Sequence, residues 1–326
     1  METSVADRAI SHSAEDRAMS DVEYAYLLGA PPLRDFREFV RARCPEIRPE
    51  DESQLIDSWR AAVQRIDEIA TAECGRVSDP DIQDLPSHMR SRADALLADP
   101  AIRASQGPIF CRWAMVNLDQ LVMHQRSVDL GHVASLRSRL QCPLTDSELF
   151  AIAAGELQSR PEIGVVRNAN TLTFSSVSSD LRYLGTEIRL PDKDGNRAGP
   201  GRPARIVALY VGYGINVLSA LRVERRLILI NGTHRCHALY GMGVREVPCL
   251  VREVACDEDL ELIDAPELKQ NLPIYLRSPR PPRLRDFFDP LLRIVIRAPP
   301  VTRLVHVQIT TQESKAVRVS RLGEHG

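Results

Sequence analysis

The stretch RRLILINGTHRCHALYGMGVREVPCLV, from Arg225 to Val251, carries the clearest fold signal in the chain. Four consecutive apolar residues, Leu227 to Ile230, predict a buried strand, and the Asn231-Gly232 dipeptide that follows is typical of a turn. Thr233 is a favourable N-cap for a helix that would end at Gly243. The pattern therefore predicts a strand, a sharp turn, a short helix and a second strand.

A helix that begins directly after such a turn is suited to bind an anion. Its first backbone N–H groups point outward at the positive end of the helix dipole, and phosphate is a common occupant of such sites. Gly232 would let a phosphate approach the backbone, while His234 and Arg235 would add charge-assisted hydrogen bonds. Neither the P-loop pattern nor the three-glycine dinucleotide fingerprint occurs in the chain. A plain turn with a capped helix and solvated side chains suits the same residues equally well.

The composition is that of an ordinary globular protein. The chain has 326 residues and a formal net charge of -2, which argues against a broad nucleic-acid-binding surface. No apolar run approaches the roughly 20 residues of a membrane span, and the charged N-terminus does not look like a secretory signal. Seven cysteines without a C-x-x-C pair disfavour a disulfide scaffold or a zinc module. We therefore expect a cytoplasmic protein that does not enter membranes and has no metal site built by its own residues.

The order of patterns along the chain predicts an α+β protein in three parts. Residues 1–112 are expected to be a helical region, which begins with helical spacing of Met19, Val22, Ala25 and Leu28. Residues 113–256 are expected to form a mixed-sheet core, and residues 257–326 an acidic helix, a Pro/Arg-rich linker and a small β-rich tail. In the first part, helices are expected over 33–44, 51–75 and 91–100. Within the core, Thr145 and Glu148 have capping-box spacing at the start of a helix, strands are expected over 162–168, 171–177, 181–190 and 204–212, and Glu224-Arg225 is expected to join two strands in a hairpin. In the tail, strands are expected over 292–297, 303–311 and 316–320.

The same stretch resembles the central motif of the ParB/sulfiredoxin superfamily, in which an apolar strand runs into a Gly-x-His/Arg-Arg turn and a helix. Gly232 to Arg235 match this turn, and Gly243-Val244 with Val247-Pro248 match the residues that follow the helix. Residues 116–140 resemble the opening strand, polar corner and first helix of that superfamily. If both matches hold, residues 141–216 contain an insertion that is atypical of the superfamily.

The resemblance implies that the turn holds nucleotide phosphates and that the polar corner comes close to it. The residues expected to contact phosphate are Asn231, Gly232, Thr233, His234, Arg235 and, from the corner, Arg126. The residues expected to act near an accepting hydroxyl are His124, Asp129 and Asp119, although a polar-corner residue is the commoner fate of His124, and capping a helix the commoner fate of Asp129.

Two activities of the superfamily are disfavoured by this sequence. Sulfiredoxin needs a nucleophilic cysteine between Gly and His, where this chain has Thr233, and Cys236 is expected to turn toward the packing face of the helix. Partition proteins follow the module with a helix-turn-helix, for which residues 252–326 offer no match. Sequence-specific nucleic-acid binding is therefore not expected.

The leading hypothesis is a nucleotide-binding enzyme that transfers a phosphoryl group from ATP, or from another nucleotide such as CTP, to a small hydroxyl-bearing molecule. Such chemistry commonly uses Mg²⁺ together with phosphate-cradling groups, and ADP would be an expected product ligand. One alternative is a nucleotide-gated switch that acts on a partner protein or DNA. A second is the same fold used to bind another small ligand or cofactor. The sequence leaves the oligomeric state open.

Overall fold

A computed structural model describes residues 21–44, 47–73, 79–156, 160–178, 180–191, 204–263 and 265–313. The chain folds into two compact units. Unit 1 comprises Met1–Gln158 and Ile215–Pro300, and unit 2 comprises Ser159–Gly214 and Val301–Gly326. Both helices and sheets are present, so the predicted mixed α and β character is confirmed.

The described strands, in chain order, are β1 (Val22–Leu27), β2 (Ile82–Asp84), β3 (Cys111–Asn117), β4 (Leu121–Met123), β5 (Ser127–Asp129), β6 (Gly164–Asn168), β7 (Thr171–Ser176), β8 (Leu181–Arg189), β9 (Ile206–Tyr213), β10 (Ser219–Val223), β11 (Arg226–Asn231), β12 (Glu246–Val254), β13 (Arg293–Ala298) and β14 (Arg303–Gln308). The described helices are α1 (Leu33–Arg43), α2 (Pro49–Ala72), α3 (Ser87–Ala98), α4 (Pro100–Gln106), α5 (Leu130–Arg137), α6 (Asp146–Ala153), α7 (Thr233–Gly241), α8 (Asp257–Glu261), α9 (Pro266–Gln270) and α10 (Leu272–Leu276). Short 3₁₀ turns occur at Leu118–Gln120 and Leu284–Phe288.

The centre of unit 1 is a six-stranded mixed sheet in the order β2-β3-β12-β10-β11-β4. β10 and β11 form the predicted antiparallel hairpin, while β12 runs parallel to β10 and β4 runs parallel to β11. The central strands are almost continuously apolar, and Ala220, Leu221, Ile228 and Leu250 are each fully buried. Strands that are covered on both faces show this lack of alternation. The sheet therefore places the end of β11 and the start of α7 at the edge of a rigid core.

A second sheet of unit 1, in the order β13-β1-β5, corrects the prediction for the first described residues. Residues 19–28 were expected to be helical, whereas Val22–Leu27 form the middle strand between β5 and β13. Four successive residues, Tyr24 to Leu27, are buried, so both faces of the strand are covered. Because both faces of β1 are buried, its sequence lacks the alternation of polar and apolar residues that usually marks a strand. The spacing of its apolar residues also fits a helix, whereas Tyr24 and Tyr26 favour a strand.

The helical predictions for most of unit 1 are confirmed. α1, α2 and α3 form where amphipathic spacing predicted them, and α6 begins with the predicted reciprocal capping box between Thr145 and Glu148. Asp129 caps α5, because its Oδ1 atom accepts a 2.8 Å hydrogen bond from the backbone N–H of His132. The acidic segment after β12 forms two short helices instead of one, and Pro266 opens the second of them.

Unit 2 contains a three-stranded sheet, β14-β7-β6, and a separate two-stranded sheet, β8-β9. The strands predicted between residues 162 and 213 are confirmed as β6 to β9. The expected tail strand at 303–308 is β14, which pairs antiparallel with β7. The possible strand predicted near residues 316–320 lies outside the described residues.

The predicted division of the chain differs from the observed one at three places. Residues 1–112 are not a separate helical region, because β1 and β2 join sheets with later strands. The segment 141–216, predicted as an insertion, is divided between the two units, since α6 belongs to unit 1 and unit 2 begins at Ser159. The tail 257–326 is not a domain, since its first part up to Pro300 belongs to unit 1 and the rest to unit 2. The boundaries of the two units depend on pairing between strands that are far apart in sequence. Patterns of neighbouring residues do not show such pairing.

In the part of the chain that the structure describes, no helix is both long and apolar enough to cross a bilayer.

The strand assignment of β1 is testable at Leu27, which is 1% exposed. Replacing it in Leu27→Ala should lower the free energy of unfolding by about 2–5 kcal/mol, because a buried methyl-rich side chain leaves a cavity. A helix would place Leu27 on the side opposite Val22, Ala25 and Leu28, where truncation would cost little. Urea denaturation measures the difference, and Leu291→Ala, at a position that is 56% exposed, is the control. Equal midpoints for Leu27→Ala and the wild type would contradict the strand assignment.

Candidate functional site

The turn between β11 and α7 is built around Gly232 and has the predicted strand–turn–helix form. Gly232 adopts a left-handed backbone conformation with φ of 105°, and α7 begins at Thr233 without a hydrogen bond from a capping side chain. A Cβ atom on Gly232 would lie 3.0 Å from Cγ of Leu218 and 3.3 Å from Nη2 of Arg235. Glycine is therefore required here by both conformation and space. Thr233 is the first residue of the helix, so the expectation that it would be the N-cap is wrong by one residue.

His234 is held in the first turn of α7 by the polar corner. Its Nε2 atom accepts a 3.1 Å hydrogen bond from the backbone N–H of Asp129, so in the neutral ring the proton is on Nδ1. Burial, together with the nearby His132, His237 and Arg235, lowers the pKa of His234 to about 3. The ring is therefore neutral at physiological pH and offers Nδ1–H as a hydrogen-bond donor. The expectation that the polar corner comes close to the turn is confirmed for Asp129.

Arg235 has a different orientation from the one expected for a phosphate ligand. It is 3% exposed, and its guanidinium donates to the carbonyl oxygens of Ile152 (3.0 Å), Ala153 (3.2 Å) and Asn216 (2.8 Å). Its Nη2 atom also donates to Oδ1 of Asn216 at 2.8 Å. Arg235 thus ties α7 to the C-terminal end of α6 and to the connector that enters β10. Its first role in this structure is architectural, which corrects the predicted direct grip.

Asn231 serves the same connector. Its side-chain amide donates to the carbonyl oxygen of Ile215 at 3.3 Å and to Oδ1 of Asn216 at 3.4 Å. Gly155, just after α6, has a φ of 77°, and a Cβ there would lie 2.2 Å from the carbonyl oxygen of Asn216. The predicted contact of Asn231 with phosphate is therefore replaced by a contact that closes the back of the turn.

Arg126 and His124 lie in the polar corner but bond to other elements. Arg126 forms an ion pair of 2.5 Å with Asp35 of α1, and its Nη2 atom lies 3.5 Å from the hydroxyl of Tyr275 in α10. The same hydroxyl donates to the carbonyl oxygen of His124 at 3.4 Å. The guanidinium of Arg126 is thus engaged with Asp35 and Tyr275, which corrects its predicted anion contact. His124 makes its contact through the backbone carbonyl, so the catalytic role of its side chain stays a prediction. The residues around Arg126 in the sequence do not show that Asp35, far away in the chain, is its partner.

Asp119 lies at the opposite end of α7 from the turn. Its Oδ1 atom accepts a 2.6 Å hydrogen bond from the hydroxyl of Tyr240, and its Oδ2 atom lies 3.9 Å from Nε of Arg245. Tyr240 follows Thr233 by seven residues, a distance of roughly 10 Å along a helix. The prediction of Asp119 as a catalytic residue is therefore wrong for a reaction at the turn.

His132 is the residue beside the turn that sequence reasoning missed. It is exposed in the first turn of α5, and its ring lies 5.0 Å from the ring of His234 in an edge-to-face arrangement. Desolvation lowers the pKa of His132, although Asp129 opposes this shift. The signal in the sequence was its position three residues after Asp129, the capping residue, which places its backbone next to that carboxylate.

Cys236 lies on the packing face of α7, as expected. It is fully buried, and desolvation raises the pKa of its thiol to about 12, so the thiolate that a nucleophile requires is not formed at neutral pH. Among the described residues no group of three or more histidine, cysteine or carboxylate side chains is arranged to hold a metal ion. If a Mg²⁺ ion binds at the turn, the phosphates of a bound nucleotide and water molecules would supply most of its ligands.

No protein-family model, curated protein or solved structure matches the chain. The likeness of the turn to the ParB/sulfiredoxin superfamily therefore stays a prediction.

The architectural role of Arg235 predicts a loss of stability without any ligand. Arg235→Leu should lower the free energy of unfolding by about 3 kcal/mol or more, because buried carbonyl oxygens lose a charged donor. Arg139→Leu, at an exposed position in the turn after α5, should change it by less than about 0.5 kcal/mol. Chemical denaturation in the absence of nucleotide measures both. Wild-type stability of Arg235→Leu would show that this hydrogen-bond cluster is not needed for folding.

His237, also in α7, predicts sensitivity to acid. It is 5% exposed, stacked on Phe288 at 4.6 Å, and burial with the positive charges of Arg293 and Arg137 lowers its pKa to about 4. The unfolded state, with a pKa near 6.5, takes up the proton first, so stability is complete above pH 6.5 and falls between pH 6.5 and about 4.

The variant His237→Phe should remove this part of the loss, which amounts to roughly 3 kcal/mol. Unfolding free energies measured at intervals from pH 7.5 to 4 test it, with His306→Gln, an exposed histidine of β14, as the control. Parallel pH curves for the wild type and His237→Phe would contradict the assignment.

Proposed function

We propose that the chain binds the phosphates of a nucleotide at the turn between β11 and α7 and uses it as a phosphoryl donor to a small hydroxyl-bearing molecule. The observation that supports this most is the start of α7. It has no side-chain cap, follows a left-handed Gly232, and has His234 fixed beside it by the backbone of Asp129. Outward backbone N–H groups, a positive helix end and a close-approach glycine are the features that phosphate sites share.

The residues fit the phosphate end of the ligand in distinct ways. The first N–H groups of α7 would donate to phosphate oxygens, and Nδ1–H of His234 would add a neutral donor. The guanidinium of Arg235 lies behind Gly232, where it donates to the carbonyl oxygens of Ile152, Ala153 and Asn216. Its positive charge would add to the field at the turn without touching the ligand.

A residue of α5 would take the proton of the accepting hydroxyl. Of the predicted catalytic residues, Asp129 lies at the turn, where its backbone N–H holds His234, and its Oδ1 atom is engaged as the cap of α5. The imidazole of His132 is exposed next to His234, and a neutral imidazole can take the proton of a hydroxyl. Mg²⁺, when bound, would neutralise charge on the phosphates. The chain's own residues would orient the nucleotide and hold the acceptor near His132.

A nucleotide-gated switch is the second candidate, and one observation favours it. Asp119, one of the three expected catalytic residues, is engaged with Tyr240 at the far end of α7. A site with few acid and base groups suits slow hydrolysis or binding alone. The partner would then be a protein or DNA, and sequence-specific DNA binding is not proposed. A ligand other than a nucleotide, with a similar anionic group, is the remaining alternative.

Nucleotide binding is testable by thermal and chemical stability with ATP, ADP, CTP and GTP, each with Mg²⁺. A nucleotide at 100 times its dissociation constant should raise the free energy of unfolding by ~2.7 kcal/mol. His234→Gln should weaken that binding roughly tenfold or more, because a donor to a charged ligand is lost. His306→Gln should bind as the wild type does.

The outcomes separate the candidates. Absence of a shift with all four nucleotides would overturn both nucleotide-dependent proposals. Binding with phosphate release that depends on an added hydroxyl compound would support the enzyme. Binding with slow, acceptor-independent release, and salt-sensitive binding to random DNA, would support the switch.

A further inference from the structure

The β8–β9 hairpin of unit 2 exposes much of the apolar surface of the described residues. Large hydrophobic side chains that are 43–69% exposed lie on it or at its end: Tyr183, Leu184, Ile188, Leu190, Val207 and Tyr210. These two strands form a sheet of their own. A two-stranded sheet is marginally stable in water, and neighbouring apolar side chains left in solvent add to that cost.

One face of the hairpin is almost entirely apolar. Directly opposed residues of antiparallel strands point to the same face, and the register pairs Tyr183 with Val211 and Ile188 with Val207. Thr186, opposite Leu209, is the single polar residue of this row. The other face carries Glu187 and Arg189. Such alternation is normal for a sheet with one covered face, yet Ile188 is 69% and Val207 61% exposed.

The outer half of β8 is an open edge. Residues 186–190 are all exposed, and β9 is the one strand that pairs with β8 among the described residues. β8 has nine residues, whereas edge strands of proteins that stay monomeric are commonly short, charged inward or interrupted by proline. A long edge with exposed apolar residues and free backbone groups is a template for another strand.

We propose that this edge pairs with β8 of a second copy of the chain, antiparallel and centred on Ile188. The argument for a second copy is the charge pattern. A two-fold axis through Ile188 places Glu187 opposite Arg189 of the second copy, and Arg189 opposite its Glu187. Opposite charges facing each other across strands are favourable, and this centring yields two such pairs.

The same centring makes the apolar rows of the two hairpins continuous. Ile188 meets Ile188 of the second copy, and Val207 flanks each of them because it is the partner of Ile188 within the hairpin. The product is a four-stranded sheet in the order β9-β8-β8-β9. A sheet of four strands with an apolar face is more stable than a two-stranded one. The contact is small for a permanent interface, so the dimer should form and dissociate with concentration. The inference does not rest on nucleotide binding in unit 1.

Charge reversal tests both the partner and the register. Sedimentation equilibrium of the full chain should show a monomer–dimer equilibrium. Arg189→Glu and Glu187→Arg should each raise the dimer dissociation constant roughly tenfold or more, because both symmetric pairs then hold like charges. The double variant Glu187→Arg/Arg189→Glu should restore the wild-type constant. Arg167→Glu, an exposed arginine on edge strand β6, is the matched control and should leave the constant unchanged.

Glu187 also accepts a hydrogen bond from the hydroxyl of Tyr210, so Arg189→Glu, which leaves this bond in place, is the cleaner single variant. A chain that stays monomeric up to millimolar concentration would overturn the proposal, as would a dimer that the single reversals leave unchanged. In the first case, slow amide exchange along β8 in the monomer would assign the edge to a partner within the same chain. A dimer weakened by both single variants and not restored by the double variant would overturn the proposed register.

Discussion

The buried guanidinium of Arg235 is the interaction on which the candidate site depends. It joins three segments that are far apart in sequence: the first turn of α7, the end of α6 near Ala153, and the connector at Asn216. The carbonyls at the end of α6 carry the negative end of that helix dipole, so a cation is well placed there. This arrangement holds the start of α7 in place before any ligand arrives. It also means that a substitution of Arg235 tests folding and not only binding.

The turn combines a positive charge, that of Arg235, with neutral hydrogen-bond donors. The charge of Arg235 lies behind Gly232, while the N–H groups of α7 and the imidazole of His234 are neutral. His234 owes its orientation to one backbone hydrogen bond from Asp129, and burial keeps its ring unprotonated. A preorganised set of neutral donors with a fixed charge behind it needs little rearrangement when an anion binds. This is the physical basis of the phosphate-binding proposal.

The sequence predicted local elements well and long-range partners poorly. The strand, turn and helix around Gly232, the hairpin of β10 and β11 and the capping box at Thr145 all depend on neighbouring residues, and all were predicted. Asn231 and Arg235 were assigned to a ligand because the sequence does not show that the carbonyls of residues 152, 153, 215 and 216 lie beside them. The same limit applies to Arg126, whose partner Asp35 lies ninety-one residues earlier. His132 was missed because the edge-to-face contact with His234 exists only after α5 packs against α7.

The position of β1 has a consequence for how the chain is made. Val22 pairs with Ala298, so the chain must be synthesised as far as residue 298 before the first described strand meets both of its neighbours. β7 pairs with β14, which is synthesised after β13. Among the described strands, β5 is the one that can pair with Tyr24 to Tyr26 until residues 293–298 are made. Strands so far apart in sequence pair slowly, because a long loop must be closed first.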